Sequence, residues 1–289
     1  MIHEAPKFIL APRVGDAYAE YASREPRKKF RTGFIRLDWM TNGGLRAGDV
    51  SVIGAATGMG KTSFAEQLAL NLARETDVLL MPLEVGEEDT CMRLGAKVER
   101  RPASVTSVFA HPDAVQLLNG RDLTVTSGNS NIMSVEEIVN NISLFSPNGV
   151  IIIDHARHIE GWLPSGKQSV HISATQIMQV LQNAAVQLRV HIVLCAQLNR
   201  SGAMSDRPQL HHLQDTSALE QLASQVILLH RPYQKLGAEK DVVMEMYLAK
   251  NRAGPLGMVH YHWNGLLTSL SPMTEEEESY VTCCDRSGA

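Results

Sequence analysis

Short apolar runs recur along the chain, separated by segments whose apolar residues fall three and four apart. The runs are 49–54 (DVSVIG), 77–83 (DVLLMPL), 122–126 (DLTVT), 149–154 (GVIIID), 190–196 (VHIVLCA) and 225–230 (QVILLH). Their β-branched and aliphatic content predicts strands buried in a sheet. Between them, Phe64, Leu68 and Leu72 share one face of a helix expected over 62–74. Ile177, Val180, Leu181, Ala184 and Leu188 share another over 168–189. SVEEIVNNISLF opens with a capping box, Ser134 with Glu137. Strands alternating with helices predict an α/β fold with a mostly parallel twisted sheet flanked by helices. Beyond residue 240 the pattern changes to short strands at 242–250, 257–263 and 266–270. These predict antiparallel additions at the C-terminal edge of the sheet. The Met-rich run VVMEMYLA reads as core packing.

The ends differ from this core. Residues 1–32 read as an arm: VGDAYAEYASREP suits a short helix ending before Pro26, and PRKKFR (26–31) is a compact basic run. Tyr18 and Tyr21 could anchor that helix on a neighbouring copy. Residues 33–272 form the core, and 273–289 an acidic tail expected to be disordered. The tail changes the charge picture. The net charge of −4 comes from 31 acids and 27 bases, and residues 274–289 hold five of those acids and one of those bases. The rest carries 26 of each, so contact with nucleic acid has to come from a local basic surface. No apolar run nears the ~20 residues of a membrane span, and the N-terminal run is too short for a signal peptide. Four cysteines, Cys91, Cys195, Cys283 and Cys284, have neither metal-ligand nor disulfide spacing, which fits a reducing, cytoplasmic setting.

The chemistry concentrates in IGAATGMGKTSF, residues 53–64. It nearly matches the phosphate-binding pattern G-x-x-x-x-G-K-[ST], but Ala55 stands where the first glycine belongs and Gly54 comes one position early. The rest fits, from Ala55, Ala56 and Thr57 through Gly58, Met59, Gly60, Lys61, Thr62 and Ser63, between a strand and a helix. Gly58 and Gly60 let backbone N–H groups face phosphate oxygens. Lys61 reaches the β- and γ-phosphates, Thr62 offers a hydroxyl to Mg²⁺, and the helix N-terminus adds positive potential. Asp154 ends a buried strand, where ligands collect in open α/β sheets, and suits a metal carboxylate. Glu84 ends LLMPLE at the same edge. On its own it fits either a base that activates water or an ordinary strand-end acid. His155 fits either a contact with the site or a structural histidine. His211 and His212 lack companions at metal-ligand spacing.

The stretch TGFIRLDWMTNGGLRAGDVSVIGAATGMGKTSF resembles the entry segment and nucleotide loop of DnaB-type replicative helicases, a family that also tolerates alanine at the first loop position. The resemblance continues in order through MPLEVGEEDTCMRL, IIIDHARHI, VLCAQLNR, RPQLHHLQDTSALEQLASQVILLHR and LAKNRAGPLG, covering roughly residues 32–270. Asp154-His155 and the RPQL…SALEQLASQ stretch look closer to the helicase half of phage primase–helicases and their mitochondrial relatives. The resemblance implies a RecA-like P-loop NTPase core that uses ATP, or another NTP, with Mg²⁺ and works as a homo-hexameric ring on single-stranded or forked DNA. It implies Glu84 as catalytic base, Asp154 as second metal carboxylate and Gln197 as γ-phosphate sensor. Lys250 and Arg252 become basic fingers entering the neighbouring subunit's site. DNA contacts are expected on the loop after Asp154, with Arg157 and Lys167, and on the loop after Gln197, with Arg200 and Arg207.

In that second loop, Gln214 stands where the family usually has arginine, and Leu222 and Ser224 replace later acids. Grip on DNA is expected to differ accordingly. With 32 residues before the core, the reading expects neither a primase-docking domain nor a primase. Primase, a loader or a single-strand-binding protein are the expected partners, and a phage the expected source. A RecA-type recombinase or ATP-switched filament, and a nucleotide-dependent adaptor or loader, share this core and are the alternatives.

Overall fold

A computed structural model describes residues 13–102, 112–126, 132–145, 148–162, 174–205, 207–213, 216–234, 241–279 and 281. The chain enters through helix α1 (Val14–Ala22), strand β1 (Lys29–Phe30), helix α2 (Ile35–Met40) and strand β2 (Leu45–Arg46), β1 pairing antiparallel with β2. Then follow β3 (Val50–Ala55), α3 (Lys61–Leu72), β4 (Val78–Pro82), α4 (Glu87–Glu99), α5 (Pro112–Asn119), β5 (Leu123–Val125), α6 (Val135–Leu144) and β6 (Val150–Asp154). Next come α7 (Ala174–Leu188), β7 (His191–Gln197), α8 (Arg200–Met204), α9 (Thr216–Leu222) and β8 (Gln225–His230). Strands β9 (Val243–Asn251), β10 (Gly257–Asn264) and β11 (Ser269–Pro272) close the fold.

Among the described residues the main sheet has nine strands in the order β11-β10-β9-β8-β3-β7-β6-β4-β5. The run from β8 to β5 is parallel. Strands β9, β10 and β11 add antiparallel beyond β8, at the edge the sequence predicts. Every residue of β3 and β6 is buried, and since side chains alternate between faces, both faces of the sheet are covered. Met244 and Met246 are core residues. Ser134 and Glu137 form the expected capping box on α6. Val180, expected on the buried face of α7, is instead 36 % exposed at its margin, while Ile177, Leu181 and Ala184 are buried.

This topology sets up the site. β3, β4, β6 and β7 are neighbours and run the same way, so their C-terminal ends open on one edge. That edge carries the phosphate loop, Glu84, Asp154 and Gln197. The acidic tail, expected to be disordered, is helical over 275–279, where Thr274 and Glu277 exchange cap hydrogen bonds and Arg36 pairs with Glu278; residues 282–289 lie outside the described residues.

Candidate active site

The displaced glycine has a packing cause. Gly54 lies inside β3, and a Cβ there would sit 2.6 Å from Leu213 Cδ2 and 2.7 Å from Leu228 Cδ2. Ala55 is the last residue of the same strand, fully buried and paired with Gln197 and Leu229. Glycine is therefore needed at 54 for close packing, and position 55 is ordinary strand. The turn proper follows. Gly58 and Gly60 have φ of 78° and 93°. At Gly60 a Cβ would also lie 3.1 Å from Trp263 and 3.2 Å from Met244. Gly60 caps α3 without a side-chain hydrogen bond, so the first-turn N–H groups of α3 remain open to an anion. The cleft above the turn measures about 310 Å³. It is lined by every residue from Ala55 to Ser63 except the buried Met59, together with Glu84, His155, Gln197, Trp263 and Thr268.

Five charged or polar side chains, Lys61, Thr62, Glu84, Asp154 and His155, meet in this cleft. Lys61 Nζ lies 2.9 Å from Asp154 Oδ1 and 3.9 Å from Glu84 Oε2. Burial disfavours the Lys61 charge, but the Asp154 and Glu84 carboxylates outweigh it and lift its pKa. Burial likewise opposes the Asp154 charge, yet Lys61 and the Thr62 hydroxyl hold its carboxyl below the usual carboxylate range. His155 is pushed down to about 4, by burial first and then by Lys61, and is neutral at pH 7. Thr62 and Asp154 suit Mg²⁺: a hydroxyl and a carboxylate, with waters and substrate phosphates completing the shell. Among the described residues no three His, Cys, Asp or Glu side chains converge on a metal position, and Mg²⁺ beside phosphates needs no such cage.

Gln197 connects this cleft to the next loop. Its Nε2 donates to Thr57 Oγ1 at 2.6 Å, and its Oε1 accepts from Arg157 Nη1 at 2.9 Å. Arg157, expected on DNA, is exposed and already joined to the phosphate loop through Gln197. Arg200 and Arg207 are exposed on the segment after β7, at the same edge of the sheet. Lys167 and Gln214 lie outside the described residues. Ser224 is buried, and its N–H donates to Val50 O at 2.8 Å.

The two finger candidates are elsewhere. Lys250 ends its reach on the carbonyls of Glu220 and Gln221, and Arg252 Nη2 donates to Gln221 O at 2.7 Å. Arg252 N also bonds Ser224 O at 3.0 Å. That is the level of Val50, at the start of β3, whereas the phosphate loop follows Ala55. Five strand steps separate Arg252 from the level of Ala55, about 16 Å at the usual rise, and Lys250, level with Val52 through Val226, stands three steps back, about 10 Å.

Two features of the site carry no motif in the sequence. Arg231 Nη2 and Gln234 Nε2 donate to Gly58 O at 2.8 and 3.1 Å, and Arg231 stacks over Trp263 at 4.8 Å. They pin the loop's tip from the end of β8. Behind the loop, the buried Glu66 on α3 pairs with Arg93 at 2.8 Å and Lys97 at 3.4 Å, both on α4. This ties the helix after Glu84 to the helix after the loop.

The DnaB-like helicase C-terminal domain family matches residues 30–271, most of the chain. The chain belongs to that family. The replicative DNA helicase DnaB of Haemophilus influenzae is 27 % identical over 271 residues, covering 86 % of this chain and 56 % of that protein. The replicative DNA helicase DnaC of Bacillus subtilis is 28 % identical over 242 residues, covering 79 % and 53 %. The chain thus spans about half the length of these relatives. Two solved structures share the fold. One is a DnaB-like replicative helicase described with its interactions with primase: TM-score 0.76, 24 % identity, 91 % of this chain and 68 % of that one. The other is described as an ATPase domain: TM-score 0.75, 23 % identity, 90 % of this chain and 97 % of that one. The fold is RecA-like, as in those two structures, and the parallel sheet with its antiparallel edge agrees with it.

Proposed function

We propose that this DnaB-like chain is the ATP-driven motor of a replicative helicase. In this reading, residues 33–272 form the ATPase domain, and six copies form a ring that moves 5′→3′ on single-stranded DNA and separates the duplex ahead. The observation that carries the proposal is the convergence of Lys61, Asp154, Glu84 and Gln197 on one cleft, with Arg157 hydrogen-bonded to Gln197. A nucleotide cleft is thereby joined by one side chain to a basic loop.

The chemistry follows from these positions. Lys61 exchanges Asp154 for the β- and γ-phosphates of ATP, while Gly58, Gly60 and the open N-terminus of α3 hold their oxygens. Thr62 and Asp154 would hold Mg²⁺, which when bound would supply positive charge against the phosphates. Glu84 accepts a proton from the water that attacks the γ-phosphorus as the bond to the bridging oxygen breaks. Gln197 leaves Thr57 for the γ-phosphate, and Arg157 moves with it. Lys250 and Arg252 lie too far from their own loop to help it. They serve the loop of the adjoining subunit, where such a finger is worth about 10³–10⁵ in rate. Arg200 and Arg207 track the DNA backbone beside Arg157 and Lys167.

The α1 arm docks on a neighbouring copy, its Tyr18 being exposed. Primase, a loader or a single-strand-binding protein are the partners. The setting is cytoplasmic, in the host if a phage encodes the chain, and the likeness around Asp154-His155 supports a phage source. Among the described residues no helix is long and apolar enough to cross a membrane. Forked duplexes carrying only a 5′ or only a 3′ tail test the reading. ATP-dependent displacement of the 5′-tailed fork supports it. DNA-stimulated hydrolysis with no displacement of either fork would assign the chain to an adaptor, and helical filaments to a recombinase.

A further inference from the structure

We propose that His155 is a positioning residue that aims the Glu84 carboxylate at the attacking water, an inference that rests on Glu84 being the base. Glu84 lies on a bend two residues past the end of β4, and its side chain is 46 % exposed. A carboxylate so placed has several rotamers open to it, and each misdirected one costs turnover. Two tethers oppose this. The N–H groups of Leu83 and Glu84 both donate to Asp154 O, at 2.7 and 3.1 Å. His155 Nε2 then lies 3.1 Å from Glu84 Oε2.

The tautomer follows from the other side of the ring. The Arg157 backbone N–H donates to His155 Nδ1 at 3.2 Å, so Nδ1 is an acceptor and the proton sits on Nε2. His155 thus donates to one carboxylate oxygen of Glu84 and leaves the other to take the proton from water. The ring does not take that proton itself, because its second nitrogen is occupied. Lys61, the other neighbour of Glu84, is drawn to the phosphates once ATP binds, whereas His155 stays. Asp154 and His155 therefore act as one unit: the first carries the metal-side carboxylate, and the second fixes the base relative to it.

Two conservative variants separate this role from a structural one. His155→Asn keeps an acceptor at the Nδ1 position, and so the cap on the turn at 156–158, but cannot reach Glu84. His155→Gln places an amide donor where Nε2 was. Steady-state ATP hydrolysis gives kcat and KM for each, beside Glu84→Gln. His155→Asn should lower kcat about 10–100-fold, the range for residues that orient a reacting group, with KM for ATP and the thermal midpoint unchanged. His155→Gln should restore most of the loss. Wild-type kcat in His155→Asn, or equal losses in both variants, would overturn the assignment while leaving Glu84 as base. Normal turnover by Glu84→Gln would overturn the base itself, and the assignment with it.

Discussion

Replacing Ala55 by glycine restores the standard phosphate-loop pattern, and the structure predicts that this makes the protein worse. Ala55 is fully buried at the end of β3, between β7 and β8. Losing its methyl group forfeits about 0.8 kcal/mol of burial. Glycine in a strand adds roughly 0.5–1 kcal/mol through chain entropy. The sum, about 1.5 kcal/mol, corresponds to a fall in thermal midpoint of about 3–6 °C for a large domain. Nucleotide affinity should not change, because the backbone that turns on the phosphates begins after this residue. Gly54→Ala is the harmful exchange: its methyl would enter the space of Leu213 and Leu228, and overpacking of that kind costs about 1–3 kcal/mol. Thermal denaturation with and without ATP, and titration with a fluorescent ATP analogue, read both effects. A tenfold gain in affinity for Ala55→Gly, about 1.4 kcal/mol, would refute the reasoning, as would a Gly54→Ala protein as stable as wild type.

Further outcomes follow from the same structure. Glu66→Ala strands the buried Lys97, whose pKa burial has already lowered to about 8, and should cost about 3–5 kcal/mol in denaturant unfolding; Glu66→Met combined with Lys97→Met should recover most of it. His191 is fully buried, hydrogen-bonded to Arg46 O at 2.8 Å, and pushed by burial down to about 4. An unfolded histidine titrates near 6.5, so the folded state binds fewer protons between these values. The stabilisation is complete above pH 6.5 and is lost as pH falls to 4, by about 3 kcal/mol; unfolding curves from pH 7 to 4 should flatten in His191→Gln, and equal slopes would count against it. Affinity for single strands should fall steeply with salt, and charge removal at Arg200 and Arg207 should reduce the log–log slope by about 1.4 while basal hydrolysis survives.

The sequence exposes what depends on local pattern and hides what depends on contact. Strands β3, β4, β6, β7 and β8 stand within a residue or two of their apolar runs, because burial keeps them almost wholly apolar; Asp154 aside, the buried polar exceptions, Ser51, His191 and Gln225, hydrogen-bond to one another. The pattern places the last strand at 266–270 and it lies at 269–272, since LLTSL is equally apolar in turn and strand. Helix α2 and strand β2 carry no apolar period long enough to show, and β1 lies within the basic run at 26–31. α2 has six residues and no side-chain cap to announce it. The glycine-lysine-threonine core of the loop is plain, but the reason for Gly54 needs Leu213 and Leu228, more than 150 positions away. Nothing in the sequence shows that His155, Lys61 and the Asp154 carbonyl surround Glu84. Arg231, Gln234 and the Glu66 pairings have no signature, because each depends on which element packs beside it. The C-terminal helix over 275–279 is equally hidden behind an acidic composition.

We propose that hydrolysis needs two chains, one giving the loop and the base, the other giving Lys250 and Arg252. The direct measurement is DNA-stimulated ATP hydrolysis per chain across a dilution series, with the assembly state recorded in parallel. The claim predicts that turnover per chain falls as the assembly dissociates. It further predicts that mixed Lys61→Ala and Arg252→Ala subunits hydrolyse more than the sum of either alone, because some interfaces pair an intact loop with an intact finger. A dilute, demonstrably monomeric sample hydrolysing ATP at the full DNA-stimulated rate would contradict it.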